Sequence, residues 1–160
     1  MFAYIGLGSN LEDPRAQVEQ AFAELDGLRD TNLLARSALY RSRAVGPGIQ
    51  PDYINAVALV DTRLTPIALL DALQTIEQSH RRVRIEHWGP RTLDLDILLI
   101  DDLVIANDRL KVPHPYLTQR HFVIYPLAEI TPSLVLPDGT KLNTLIANCS
   151  QDGLERLGDN

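Results

Sequence analysis

Asp94 and Asp96 stand two residues apart in the segment Thr92-Leu93-Asp94-Leu95-Asp96-Ile97-Leu98-Leu99-Ile100. On a strand that spacing sends both carboxylates to one face, about 6–7 Å apart along the chain. Aspartate is uncommon in strands, and like charges side by side repel unless something neutralises them. Carboxylates so placed can bridge one or two Mg²⁺ ions, which take oxygen ligands and commonly share them with nucleotide phosphates. A solvent-facing polar stripe has the same spacing, and the pair alone leaves both readings open. The neighbours favour phosphate. Arg91 precedes the pair on the same strand, and Arg82 and Arg84 lie just upstream across a loop. Guanidinium forks match phosphoryl oxygens, and metal with arginine is a usual way to neutralise a transferring phosphoryl group. Arg81, Arg82 and Arg84 also fit a helix C-terminus, where cations are favourable.

Other residues carry weaker signals. Asn55 interrupts an otherwise apolar strand, and a buried amide needs partners that a heterocycle could supply. Tyr53, Trp88 and Phe122 each fit a core position, and for Tyr53 and Trp88 a place beside loops slightly favours stacking on a ligand. His114, between Pro113 and Pro115, reads as a structural histidine in an extended segment. Gly6-Leu7-Gly8-Ser9-Asn10 lacks the third glycine of a dinucleotide fingerprint, and no Walker lysine follows. It is expected to be a tight turn from strand to helix.

The elements that must hold these residues follow from periodicity. Phe2 to Gly8 reads as a buried strand. Asp13-Pro14 is a helix start, with Val18, Ala21, Phe22, Leu25 and Leu28 at helical spacing. Residues 31–41 read as a second strand, 42–52 as a loop with two prolines and two glycines, and 53–62 as a third strand. Thr65-Pro66 starts a second helix with Ile67, Leu70, Leu73 and Ile76 on its apolar face, ending near Arg84. A loop over 85–91 leads to a fourth strand, 92–100, with Leu93, Leu95, Ile97 and Leu99 turned into the core. The order β-α-β-β-α-β predicts an α+β, ferredoxin-like core: a mostly antiparallel sheet with helices packed on one face. The last sixty residues add short elements, part-helical over 117–129 and helical over 142–148.

Length and composition agree with one domain over residues 1–160, with 45% hydrophobic and 22% charged residues. One cysteine, Cys149, excludes a disulfide framework, and no apolar run approaches a membrane span. With no basic leader before Phe2, a cytoplasmic protein is expected. The net charge of −6 argues against nucleic acid as a partner. Residues 81–120 nevertheless carry seven bases against six acids, so a small anion suits this stretch better than a long polyanion.

Several segments together carry a resemblance. They are Tyr4-Ile5-Gly6-Leu7-Gly8-Ser9-Asn10-Leu11, Gly46-Pro47 with Gln50-Pro51-Asp52-Tyr53-Ile54-Asn55, and Gly89-Pro90-Arg91-Thr92-Leu93-Asp94-Leu95-Asp96-Ile97. Val112-Pro113-His114-Pro115 and Arg120-His121-Phe122-Val123-Ile124-Tyr125-Pro126-Leu127 complete the set. In this order and spacing, over nearly the whole chain, the sequence resembles the 6-hydroxymethyl-7,8-dihydropterin pyrophosphokinases of folate biosynthesis. The resemblance implies pyrophosphate transfer from ATP to the pterin hydroxymethyl group, with AMP released. It implies that Asp94 and Asp96 hold two magnesium ions with ATP, and that Arg82 and Arg91 engage the triphosphate, with Arg84 in the same loop. Tyr53 and Phe122 would sandwich 6-hydroxymethyl-7,8-dihydropterin, Asn55 would hydrogen-bond it, Ser42 and Val45 would line its loop, and Trp88 would help close the site. Gln74, Glu77, Ile97, Arg109, His114 and Arg120 would surround the nucleotide.

Three places depart from the family's pattern. Ser42-Arg43-Ala44-Val45 stands where threonine and prolines are common, Lys111 where threonine is common, and Tyr116 where others differ. The expected mechanism is in-line attack by the pterin hydroxyl on the β-phosphorus without a covalent intermediate, under loops 42–52 and 81–91, in a monomer. Which aspartate, if either, takes the hydroxyl proton is left open. A palm-type nucleotidyl transferase is a rival, but such enzymes usually need an acid on the first strand, and Phe2 to Gly8 has none. A non-catalytic ferredoxin-like binding module is the other rival, and it would need neither magnesium nor ATP.

Overall fold

The computed structural model describes residues 1–11, 13–43, 51–81 and 93–158. β1 (Phe2–Ser9) leads to α1 (Pro14–Asp26), where the Asp13 carboxylate accepts from the Ala16 N–H at 3.3 Å and Pro14 fills the first turn. Such a cap contributes about 1 kcal/mol. Gly6 and Gly8 belong to the strand expected over 2–8, which runs on through Ser9, and not to the tight turn also read over 6–10.

β2 (Thr31–Arg36) and β3 (Tyr40–Ser42) replace the single strand expected over 31–41. Ser37 makes the break: its N–H donates to the Val57 carbonyl, and its hydroxyl accepts from the Val57 N–H, both at 2.9 Å. A side chain thus stands in for a main-chain acceptor. Pairing resumes one residue out of step, with Arg36 on Ala58 but Tyr40 on Asn55. β4 (Tyr53–Thr62) has the expected bounds.

In α2 (Pro66–Arg81) the buried stripe is Leu69, Leu73, Ile76, Glu77 and His80. Ile67, expected on that stripe, is 36% exposed, because the face that meets the sheet is set two residues later. The expected end near Arg84 lies outside the described residues. β5 (Asp94–Ile100) follows, then a hairpin of β6 (Ile105–Ala106) and β7 (Lys111–Val112). A 3-10 turn (Leu117–Gln119), α3 (His121–Ile130), α4 (Leu142–Ala147) and β8 (Leu154–Arg156) complete the chain. β6, β7 and β8 were not expected; two or three residues are too few to show a period.

The sheet runs β5-β1-β4-β3-β8, with β2 also on β4, and every pairing is antiparallel. Counting β2 and β3 as one interrupted strand, this is the expected ferredoxin-like α+β core. Helices cover both faces, however, rather than one. α1 and α2 pack on Ala3, Ile5, Ala56, Ala58 and Ile97. α3 and α4 pack on Tyr4, Val57, Leu98 and Leu99. Burial on both faces is why β4 reads as a nearly continuous apolar run.

Leu99 corrects the face expected for β5. Tyr4 pairs with Leu99 but Ile5 pairs with Ile97, so Leu98 is an extra residue, a β-bulge. Leu93, Leu95 and Ile97 face α1 and α2, while beyond the bulge Leu99 joins Leu98 on the α3 side.

Candidate active site

Where α3 leaves the sheet uncovered, a cavity of about 380 Å³ opens over β5, β1 and β4. Its floor is a pattern of registers. Asp96 pairs with Gly6 and Asp94 with Gly8; Gly8 in turn pairs with Asn55, and Asn55 with Tyr40. Strands lie about 4.8 Å apart, so Asp94 and Asn55 are rooted about 10 Å apart with only a glycine between them. A Cβ on Gly8 would stand 2.9 Å from the Asn55 amide nitrogen, and one on Gly6 3.3 Å from a Leu98 methyl. Neither glycine has positive φ, so what they supply is room.

At the Asn55 end, the Ser42 hydroxyl donates to the Asn55 carbonyl oxygen at 2.6 Å, with both residues buried. Tyr53 at the start of β4 and Phe122 in the first turn of α3 line the cavity and are half-buried. Arg120 lies beside them, its guanidinium carbon 5.1 Å from the Tyr116 ring centroid and 5.6 Å from that of Phe122. Lys111 lies on β7 and is exposed. At the other end Asp96 is exposed and Asp94 half-buried. Their donors are carboxylate oxygens alone, and among the described residues no three His, Cys, Asp or Glu side chains gather into a metal cluster. Two carboxylates, with the other positions left to phosphate and water, is the usual protein share of a Mg²⁺ site. The donor set fits magnesium and lacks the nitrogen and sulfur ligands typical of zinc.

β5 is an edge strand, and the remaining candidates lie on or beyond it. The Glu77 carboxylate, from α2, accepts from the Leu95 N–H at 2.8 Å, directly between the two aspartates in sequence. Ile97 packs into the core beneath α1 and α2. The His114 N–H donates to the Leu98 carbonyl at 2.9 Å. Burial pushes the His114 imidazole below its ordinary pKa, Asp96 opposes that shift, and Arg120 adds to it. Arg109 donates to Asp71 at 2.6 Å and to Gln74 at 3.3 Å on the exposed side of α2. Thus Ser42, Tyr53, Asn55, Asp94, Asp96, Arg120 and Phe122 line one cavity. His114 is near enough to Asp96 to feel its charge, and Gln74 and Arg109 meet each other. Glu77 and Ile97 are buried. Val45, Arg82, Arg84, Trp88 and Arg91 lie outside the described residues.

Sequence reasoning missed Gly6, Gly8, Arg43 and Leu98 as parts of this cavity. Two glycines at strand spacing were the available signal, since glycine weakens a strand and often marks a close approach. Arg43 and Leu98 gave none.

Comparison with known proteins adds an independent line. Residues 4–132 match the model of the 7,8-dihydro-6-hydroxymethylpterin-pyrophosphokinase (HPPK) family. A 2-amino-4-hydroxy-6-hydroxymethyldihydropteridine pyrophosphokinase of Pseudomonas aeruginosa is 51% identical over 154 residues, covering 96% of this chain and 95% of its own length. The protein of the same name from Haemophilus influenzae is 49% identical, covering 97% of both chains. Among solved structures, the HPPK-DHPS of Plasmodium falciparum with pterin and p-hydroxybenzoate superposes with a TM-score of 0.76 at 14% identity. That match covers 97% of this chain and 46% of the longer protein, and it bears on the fold.

Proposed function

This chain belongs to the 7,8-dihydro-6-hydroxymethylpterin-pyrophosphokinase family, and from that membership we infer that it transfers pyrophosphate from ATP to the hydroxymethyl group of 6-hydroxymethyl-7,8-dihydropterin in folate synthesis, releasing AMP. The observation that carries the assignment of roles is the glycine floor, with a carboxylate pair at one end and a bonded Ser42–Asn55 pair at the other. A flat heterocycle suits that floor. Asn55 and Ser42 read its polar edge, and Tyr53 and Phe122 stack on its faces. The hydroxymethyl group then points toward Asp94 and Asp96, the residues that would hold two magnesium ions together with ATP. Magnesium bound there supplies positive charge to the phosphate oxygens.

The chain's own residues do the rest. They bring the pterin oxygen in line with the β-phosphorus, and such positioning is a large part of the barrier to a two-substrate transfer. Arg120 adds a cation on the cavity side, and Arg82 and Arg91 serve the triphosphate. Gln74, Glu77, Arg84, Ile97, Arg109 and His114 serve the nucleotide, and Val45 and Trp88 close the pterin side. We further take residues 1–160 as one catalytic domain, monomeric and cytoplasmic. No helix among the described residues is long and apolar enough to cross a membrane.

Phosphorus NMR of ATP, Mg²⁺ and the pterin alcohol with the protein tests the reading. AMP together with pterin diphosphate is the expected outcome. ADP, free pyrophosphate or no turnover contradicts it.

A further inference from the structure

α3 carries Phe122 in its first turn and Glu129 in its last. Seven residues are about two helical turns, so the two side chains lie on one side of the helix, about 10 Å apart along its axis. The Glu129 carboxylate collects donors from β3, from β8 and from the segment that joins β2 to β3. It accepts from the Tyr40 hydroxyl at 2.7 Å and from the Ala38 N–H at 2.9 Å. The Arg156 guanidinium, from β8, reaches it at 3.3 and 3.5 Å. Tyr40 is opposite Asn55 in the sheet and two residues before Ser42, on the same face of β3. Ser42 in turn holds the Asn55 carbonyl.

β3 is three residues long, and its outer neighbour β8 is also three. Within the sheet β3 is paired with β4 on one side and β8 on the other, and the Leu157 N–H on the Leu39 carbonyl and the Arg43 N–H on the Gly153 carbonyl continue that pairing. The Glu129 carboxylate ties both strands to the last turn of α3, while at its first turn the His121 ring meets the Asp152 carbonyl at 3.1 Å, just before β8. Tyr40 is 5% exposed, so its ring is packed in place between the sheet and α3. Burial, and then Glu129, push the Tyr40 phenol well above its usual pKa, which keeps it a donor.

We propose that Glu129 is a positioning residue for the pterin slot: through Tyr40 it holds β3 against α3 and so fixes the gap between the Ser42–Asn55 pair and Phe122. Glu129 touches no substrate. It acts through a helix that carries one wall of the slot and a strand that carries the other. This role rests on the pterin reading given above.

The test is steady-state kinetics of the full chain with Mg²⁺-ATP and 6-hydroxymethyl-7,8-dihydropterin. Tyr40→Phe keeps the ring and the Ala38 and Arg156 contacts but deletes one bond of the tie. It is expected to raise KM for the pterin about three- to tenfold while KM for ATP stays within about twofold. Thr31→Val is the comparison for general destabilisation. It removes the buried hydrogen bond between the Thr31 and Thr62 hydroxyls, 2.8 Å apart and away from the cavity, and it should leave both KM values unchanged. Glu129→Ala removes the acceptor of Tyr40, Ala38 and Arg156 together, so pterin KM rises here too. The double variant should rise no further than the larger single, since both cut one tie. An unchanged pterin KM in Tyr40→Phe, equal rises for both substrates, a matching rise in Thr31→Val, or additive rises would each overturn the role. Wild-type turnover with unaffected variants overturns only this inference; a wild-type protein that does not use the pterin overturns the functional reading and this role together.

Discussion

Gly8 and Asn55 oppose each other across β1 and β4 so closely that a Cβ on Gly8 would stand 2.9 Å from the Asn55 amide nitrogen. Ser42 already holds the other side of that amide at 2.6 Å, so Asn55 cannot simply swing away. Gly8→Ala is therefore expected to break the Ser42–Asn55 bond and raise the cavity floor together. Overpacking of this kind costs about 1–3 kcal/mol of stability. We expect a folded variant whose KM for the pterin rises more than about tenfold, the loss of roughly one good polar contact. Gly6→Ala is the contrast. Its added methyl would meet the end of the Leu98 side chain at 3.3 Å, which can turn aside. Steady-state kinetics and thermal unfolding of the two variants check the difference; equal effects would show that Asn55 is not the constraint.

Asp96 is exposed, so its charge can be removed without disturbing the core. Asp96→Asn should fold with wild-type stability and lose about 10²- to 10³-fold in turnover, the scale seen when one charge-stabilising group is deleted. Because asparagine keeps one oxygen ligand, the loss should shrink as Mg²⁺ is raised. AMP formation measured across a magnesium titration is the check. A variant whose deficit is the same at every magnesium concentration would remove Asp96 from the metal site.

How much of this was legible beforehand depends on what kind of signal each residue gives. The carboxylate pair was legible because a strand's two-residue period fixes which face a side chain takes, and Asp94 and Asp96 precede the bulge. Leu99 lies beyond it and was placed on the wrong face, since a bulge is a relation between two strands that one strand's sequence does not display. The same holds for the break at Ser37, which depends on its hydroxyl meeting the Val57 N–H. Gly6 and Gly8 fitted both the first strand and a turn after it, because local sequence cannot tell a glycine chosen for φ from one chosen for room. The pairing of β3 with β8 joins residues more than a hundred positions apart, and neither strand is long enough to show a period.

Glu77 separates a structural role from a nucleotide-binding one. Its carboxylate accepts from the buried Leu95 N–H, between the two aspartates. Glu77→Ala leaves that N–H without this acceptor, which costs about 1–3 kcal/mol. Glu77→Gln retains an oxygen at the same reach and should recover most of the loss. Urea unfolding of both variants measures this. If KM for ATP follows stability through the pair, Glu77 acts by holding β5. If Glu77→Gln restores stability and leaves KM for ATP raised, the negative charge itself serves the nucleotide.

Glu129 predicts a pH dependence of stability. Burial alone would raise its carboxyl, but the hydrogen bonds from Tyr40, Ala38 and Arg156 outweigh burial and hold it below the ordinary glutamate range. A carboxyl with a lower pKa in the folded than in the unfolded chain binds fewer protons when folded. Its contribution is complete above the unfolded value, ~4.3, and is lost as pH falls through the lowered folded value. Glu129→Gln removes a group that titrates this way. The stability gap between wild type and variant should therefore be constant between about pH 6 and 7 and narrow progressively below about pH 5. On the alkaline side the raised Tyr40 phenol keeps its proton past the usual tyrosine range, so the gap should not close below about pH 10. Urea midpoints taken across pH for both proteins test this. A gap as wide at pH 3 as at pH 7 would mean that Glu129 is not held charged by its donors.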